Sequence, residues 1–505
     1  GLGPAINSFD PILTGTLQED HFSQRATSIF QGVLPGSSLA QNTGTVNFAY
    51  QQAFQWGTNL NVGFNNTRST TNSFFSSTNP LLNSGFKATI TQHLLQGLGF
   101  APNTRFIRIA KNNRELSDVA FRLQVTTTVD QIENMYWDLV YAYENLRVKQ
   151  ESLAFSEKTL SDTKKQVEIG SLAPIESVRA QSTVAADQQS LTVAKTNLQL
   201  QQLLMKNALS RTLHDPALAG AEVVPTSTLE VSENEQVQPT EDLVNEALRH
   251  RPELVESRIQ LHTQELSNKA VRSALLPTLD AYAYYGGAGV GGVQNPSNIC
   301  GAPGNPGFGC TSPTGQLFPT TGYGDTLNQL VNSTAPDKGV GLQLNIPLRN
   351  RAAQAAQIRS ELEYRQSQMA LQQTENRISI EVRNAQFGVE QNRASVASAQ
   401  AAVDYAKQSL DAEQKKYQFG TSTTTAVLQN RSALATAEST LLSAMAAYEK
   451  SRVELDRAVG TLLDHDGINI DDASRGQVTH LPNVPYVAPR KDLTPVETPS
   501  IQPQQ

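Results

Sequence analysis

Long apolar runs are missing from this 505-residue chain. Nothing in it approaches the about 18 consecutive apolar residues that a membrane-spanning helix requires. Mean hydropathy is -0.36, and 38% of the residues are hydrophobic. That excludes a helical membrane protein but not membrane strands, whose alternation of apolar and polar residues leaves a weak hydropathy signal. A basic excess is missing too. Lys and Arg number 40 against 47 Asp and Glu, a formal net charge of -7, and no run of Lys and Arg breaks the balance. A nucleic-acid partner, which needs a basic face, is therefore not expected.

Cysteine is nearly absent: Cys300 and Cys310 are the only two, close together in a segment rich in Gly, Pro, Ser and Asn. An even, minimal, local pair suits a small disulfide in an oxidising compartment, and two free cytosolic thiols are the alternative. The signatures of catalysis are also lacking. The seven histidines are scattered without metal-ligand spacing. Asp471-Asp472 and its neighbours lack the calcium-loop pattern, and there is no nucleophile elbow or P-loop. Gly287-Ala288-Gly289-Val290-Gly291-Gly292 has the glycines of a dinucleotide loop, but a proline-rich, helix-poor stretch follows where that motif needs a helix. No enzyme activity, metal site or cofactor is expected.

What is present is a repeat. Ile132, Leu139, Leu146, Leu153, Leu160 and Val167 recur every seven residues, and Val382, Val389, Val396, Val403, Leu410 and Tyr417 do the same 250 positions later. Each ladder ends three residues before a glycine, Gly170 or Gly420, and resumes beyond it. Val184, Leu191, Leu198 and Met205 then match Leu434, Leu441, Tyr448 and Leu455, again 250 positions apart. A gapless register of this length reads as a duplicated helical hairpin. A strict seven-residue apolar period implies coiled-coil packing, because 3.5 residues per turn keeps one seam facing its neighbour. Small residues such as Ala142, Ala385, Ala399 and Ala406 let the helices approach closely.

The stretch 103–169 holds neither proline nor glycine, and 351–419 holds only Gly388. At about 1.5 Å per residue each would span roughly 100 Å, which suits a bundle, a fibre or a tunnel wall rather than a compact domain. The turns between the ladders supply helix breakers and caps. Glycine permits a left-handed C-cap, Ser and Thr cap the returning helix, and Pro174 suits its first turn. Other segments alternate with period two: Val340, Leu342, Leu344, Ile346 and Leu348; Phe86, Ala88 and Ile90; Leu60, Val62 and Phe64. Strands are also expected over 9–19, 45–54 and 277–285, with long surface loops over 68–83 and 292–338 and a helix over 241–276. Four to six strands cannot close a barrel of eight or more, and an open sheet cannot sit in lipid, so several chains would have to share one. Trp56, Tyr282, Tyr284 and Tyr285 suit either a membrane interface or contacts within a sheet.

In this order and duplicated, the segments resemble the TolC-like outer membrane efflux protein family over nearly the whole chain. The resemblance is carried by Leu275-Leu276-Pro277-Thr278-Leu279 between helix and strand, Gly339-Val340-Gly341-Leu342 through Ile346-Pro347-Leu348 between strand and helix, and the paired turns at Gly170 and Gly420. It implies a mixed α and β membrane protein: a trimeric transmembrane β-barrel continued by a long antiparallel coiled-coil α-barrel, built from two internal repeats. The implied order is a first barrel segment with its extracellular loop over 1–100 and a first periplasmic helical hairpin over 101–213. An equatorial segment over 214–240 and equatorial and ascending helices over 241–276 follow. A second barrel segment with its loop over 277–348, a second hairpin over 349–464, and an equatorial segment with a disordered tail over 465–505 complete the order.

The resemblance implies passive conduction by a homotrimer in the outer membrane of a Gram-negative-type bacterium, with outer-membrane lipid around the barrel. A periplasmic adaptor (membrane fusion) protein would join it to an inner-membrane transporter that supplies the energy. Gly170, Ser171 and Leu172, with Gly420, Thr421 and Ser422, become the adaptor-contact candidates; the simpler reading is that they are only caps and turns. Glu176, Tyr417, Ser422, Ala426 and Gln429 fall on the periplasmic gate. Relatives narrow that gate with aspartates and a salt bridge, but Ser422, Ala426 and Gln429 carry no charge. The gate would rest on hydrogen bonds and helix packing, and cations would block it weakly.

Two departures from the family's basic scheme of four strands stand out. An extra hairpin over 45–54 and 58–66, turning at Gly57, adds to the strands. No helix precedes Phe9-Asp10-Pro11-Ile12-Leu13 as 241–276 precedes Pro277, so some 30–40 residues are expected upstream of Gly1, by analogy with the second repeat. No signal peptide is visible at Gly1, which fits a processed or trimmed form of an exported protein. The rival reading is a trimeric coiled-coil structural or adhesin-like surface protein, which would show one continuous heptad array in place of repeated hairpins.

Overall fold

In the computed structural model the described residues are 7–210, 220–229, 238–303, 305, 307, 309–310, 320–476 and 479. The chain divides into two compact units, residues 1–116 with 259–369 and residues 117–258 with 370–505.

The first unit is built on one six-stranded antiparallel sheet in the order β1 (Ile12–Arg25), β2 (Ser38–Ala53), β3 (Thr58–Thr71), β4 (Thr78–His93), β5 (Thr278–Gln294), β6 (Pro336–Asn345). The hairpin expected around Gly57 is β2–β3, closed by the Phe54 carbonyl accepting from Gly57 N–H at 3.0 Å. Side chains alternate between faces along each strand, and the register carries that alternation across the whole sheet. Leu13 stands opposite Tyr50, Tyr50 opposite Val62, Val62 opposite Ala88, Ala88 opposite Tyr285, and Tyr285 opposite Lys338. One step along that face, Phe48, Phe64 and Phe86 form a second row. This face is an apolar band reaching from Leu17 on β1 to Val340, Leu342 and Leu344 on β6. The opposite face is mainly polar or small, as at Asn47, Asn65, Lys87 and Gln343. Tyr282 and Tyr284 belong to that polar face, lying over Gly341 and Gly339, so for these two the contact is within the sheet.

Two expected loops are shorter than the sequence suggests. The stretch 68–83 is mostly strand, because β3 runs to Thr71 and β4 starts at Thr78. Its Ser, Thr and Asn residues mimic loop composition but alternate on a sheet face. Within 292–338, a helix α5 (Tyr323–Val331) packs on the sheet. Thr326 is fully buried there, and its Oγ lies 3.0 Å from Ser84 Oγ. The glycine run of β5 explains how. A Cβ on Gly289 would meet the Thr326 carbonyl at 2.2 Å, so the glycines are the seat of this helix and not a phosphate loop.

The second unit is helical and takes in most of the length of α1 (Arg105–Glu168) and α6 (Arg351–Gln418), with α2 (Pro174–Leu209), α3 (Thr240–His250) and α7 (Thr424–Val459). The expected single helix over 241–276 is two, because Pro252 starts α4 (Pro252–Ser273), and a residue before proline is pushed out of the helical region. Arg251 at that break is buried, donating to Glu253 and Glu381 at 2.6 and 2.9 Å and to the Ala458 carbonyl at 3.0 Å. The heptad ladders make the core. Leu139, Ala142, Leu198 and Met205 join α1 to α2, and Val403, Ala406, Leu410, Val427 and Leu434 join α6 to α7. Trp137 and Val140 of α1 meet Ala446 and Val453 of α7 in a further cluster.

Candidate functional site

The two hairpin turns are built alike, for a reason local to each sequence. Gly170 and Gly420 have φ of +79° and +74°, the left-handed conformation that costs glycine least. Around each, a Schellman closure forms. Gly170 N–H donates to the Val167 carbonyl at 3.0 Å and Ser171 N–H to the Gln166 carbonyl at 2.8 Å. Gly420 N–H donates to Tyr417 at 3.0 Å and Thr421 N–H to Lys416 at 2.9 Å. The hydroxyls of Ser171 and Thr421 donate to those same Gln166 and Lys416 carbonyls, at 2.8 and 3.0 Å. The capping then diverges. Thr423 caps α7 by accepting from Ala426 N–H at 3.2 Å, whereas α2 starts on Pro174 with no side-chain cap. Ser171 and Thr421 are therefore C-terminal closures of the preceding helices rather than caps of the returning ones.

The sequence candidates gather here in part. Tyr417 donates to Gln166 Oε1 at 2.7 Å, tying α6 to α1. Glu176 accepts from Thr425 Oγ1 at 3.2 Å and pairs with Arg179 at 2.9 Å. Ser422 turns back to Glu413, which also pairs with Lys416 at 3.2 Å, so Ser422 and Glu176 are not joined. The Ser422 and Lys416 hydrogen bonds hold the Glu413 carboxyl below its ordinary range. Leu172 and Ala426 are half-buried, and Gln429 is exposed. Residues that the ladders did not single out are Ile169 and Phe419, 78% and 83% exposed immediately before the two glycines. Their signal was available: each is apolar yet two places past the last rung of its heptad seam.

A carboxylate cluster sits further along the second unit, where α1 passes the short turn after α7. Glu133 is pushed up to about 9, mainly by burial, then by its hydrogen bond with Asp466 and the nearby charges of Asp466, Asp456 and Asp130. Burial likewise raises Asp466, while its hydrogen bond with Glu133 opposes that rise. In the first unit Cys300 and Cys310 are bonded, with Cα atoms 5.0 Å apart. Asn298 and Asn295 beside them donate to the Phe74 and Ser73 carbonyls at 2.6 and 2.9 Å, holding the loop on the β3–β4 connection. Among the described residues no cluster of His, Cys, Asp or Glu could hold a metal, and no helix is long and apolar enough to cross a membrane. The segments 211–219 and 230–237, which overlap the expected equatorial segment over 214–240, and residues 480–505 of the expected tail lie outside the described residues.

Residues 243–461 match the family model of the outer membrane efflux protein. No curated protein matches the chain by sequence. Among solved structures, the Campylobacter jejuni CmeC outer membrane channel superposes with a TM-score of 0.58 at 15% identity, covering 95% of this chain and 84% of that one. The Vibrio cholerae outer membrane protein VceC gives 0.58 at 16% identity, covering 91% and 89%. The open state of the Neisseria gonorrhoeae MtrE outer membrane channel gives 0.57 at 15% identity, covering 91% and 83%. The fold is that of these channels, and the resemblance read from the motifs is borne out.

Proposed function

We propose that this chain is one protomer of a trimeric outer-membrane channel, the exit duct of a tripartite efflux pump or of a type I secretion system. The observation that carries the reading is the apolar band crossing all six strands of an antiparallel sheet whose outer edges are unpaired among the described residues. In lipid, every backbone polar group must find a partner, so such a sheet is stable only as part of a closed barrel. Six strands are fewer than the eight of the smallest bacterial barrels, so more than one copy contributes. The helical unit supports the same reading. Its inner seams are filled, while large apolar side chains stay exposed on α2 (Val178, Val193, Leu200) and on α6 (Ile380, Phe387, Tyr405). Neighbouring copies would cover them, extending the coiled-coil wall around a hollow.

In this reading the sheet lies in the outer membrane and the hairpins project into the periplasm. The paired turns, with Ile169 and Phe419 added to Gly170, Ser171, Leu172, Gly420, Thr421 and Ser422, dock the periplasmic adaptor, and the inner-membrane transporter supplies the energy. Conduction through the duct is passive. The adhesin-like alternative has one long heptad array, whereas here two antiparallel hairpins share a core at Trp137 and Val453. Planar-bilayer recording of the purified protein tests the proposal. Large, stable conductance steps are expected. A folded, membrane-inserted oligomer that passes no current would rule the duct out.

A further inference from the structure

The free edges of the sheet allow an inference that rests on the channel reading and adds a register to it. β1 opens the strand run and β6 closes it, and among the described residues neither has a neighbour on its outer side. Consecutive strands are antiparallel and six in number, so the two edges run in opposite directions. β1 of one copy can therefore continue the antiparallel pattern beside β6 of another.

We infer that β1 of each copy pairs with β6 of the next so that Ile12 faces Asn345, Leu13 faces Leu344, Leu17 faces Val340 and Glu19 faces Lys338. Three constraints lead there. The apolar face holds the odd residues of β1 and the even residues of β6, so facing partners must combine one of each. A slip of one residue would put Leu13 and Leu17 on the polar face. The ten residues of β6 find partners along their whole length when its last residue, Asn345, meets the first residue of β1, Ile12. Charge then selects among the remaining even slips. Moving by two residues sets the Glu19 carboxylate against Val340, whereas the proposed register sets it against the Lys338 ammonium. On the polar face this register also brings Asp20 opposite Asp337, whose charge Lys87 offsets from 3.1 Å.

The register has a geometric consequence. Inside one sheet the row through Leu13 reaches Lys338, whereas across the junction Leu13 meets Leu344, six residues further along. A stagger of six residues over six strands, with about 3.3 Å per residue and about 4.8 Å between strands, tilts the strands by about 35°. Closed barrels need a tilt of that size. Three copies of six strands make a barrel of eighteen. Leu17 and Val340, 85% and 86% exposed in the single chain, would be covered at the junction.

The test is cross-linking between chains that each carry one added cysteine, with the native Cys300–Cys310 bond in place. Leu17→Cys chains are co-produced with Val340→Cys chains, and separately with Leu342→Cys chains, which report the register slipped by two. Directly opposed Cβ atoms lie about 4.5–5.5 Å apart and diagonal ones about 7–8 Å. Mild oxidation in the membrane is expected to give at least fivefold more covalent dimer with Val340→Cys, located by peptide mass mapping. Thr14→Cys with Gln343→Cys repeats the test on the polar face. A dominant Leu342→Cys product, or a conducting channel that cross-links in neither proposed pair, overturns the register and leaves the channel reading standing. Chains that neither conduct nor cross-link overturn both.

Discussion

Glu133 is the residue at which a single proton decides most. Burial and the neighbouring acids push its carboxyl up to about 9 in the folded protein against 4.5 unperturbed, so the folded state holds a proton that the unfolded chain releases. For a raised pKa, the linkage sign makes its stabilisation complete below pH 4.5 and progressively lost as pH climbs toward 9. Glu133→Gln replaces the donating carboxyl O–H with an amide N–H toward Asp466 and removes the titrating group. It should lift the thermal midpoint at pH 8 and flatten its decline across that window, while matching wild type near pH 4. A variant whose midpoint falls with pH as steeply as wild type would refute this account. No sequence pattern announced the cluster, because Glu133, Asp466, Asp456 and Asp130 come from the middle of α1 and the end of the second hairpin. By contrast, the tip glycines were legible. A glycine three residues past the last heptad rung has one main use, a left-handed helix end, and both take that conformation.

Among the elements, the strands express the fold's membrane logic and also mark where reading from sequence falls short. Phe64 sits mid-strand in the apolar band between Phe48 and Phe86, and Asn65 beside it points to the other face. Phe64→Lys should reduce membrane-inserted protein by a cost of about 2–4 kcal/mol, the range for a cation at the middle of a lipid-facing strand. Asn65→Lys should insert nearly as well as the wild type, as measured by protease-protected protein in reconstituted vesicles. Equal loss in both would contradict the assignment of faces. Alternation alone revealed β3, β4 and β6, since each carries three or more apolar residues in phase. It could not reveal how far β3 and β4 extend, because Thr67–Thr71 are polar on both faces and the adjacent Leu81 and Leu82 break the period-two pattern in Thr78–Asn83. Nor could it reveal α5, whose nine residues lie in a stretch dominated by Gly and Pro. Contact with β4 and β5, through Ser84, Gly289 and the Val290 backbone, gives that helix a surface to fold on. The long helices were the easiest elements to read, since a seam kept for ten turns leaves little room for another structure.

For the whole molecule, the proposed gate predicts how current through the channel behaves. Ser422, Ala426 and Gln429 bring no formal charge to the constriction, and two nearby acids are already matched, Glu176 by Arg179 and Glu413 by Lys416. Divalent cations added on the periplasmic side should therefore leave single-channel conductance nearly unchanged, whereas Ser422→Asp with Gln429→Asp should make it cation-sensitive. Strong block of the wild type by magnesium would show that the charge balance is wrong. An even number of strands has one more effect. A chain that crosses an even number of times always comes back to its side of origin, so the leading end, both departures into long helices and the β2–β3 turn all stay together. Among the described strands, the connections after β1, β3 and β5 fall on the far side. In the proposed orientation, bacteriophages and antibodies would meet, among the described residues, these three connections, and the longest of them carries its own covalent staple.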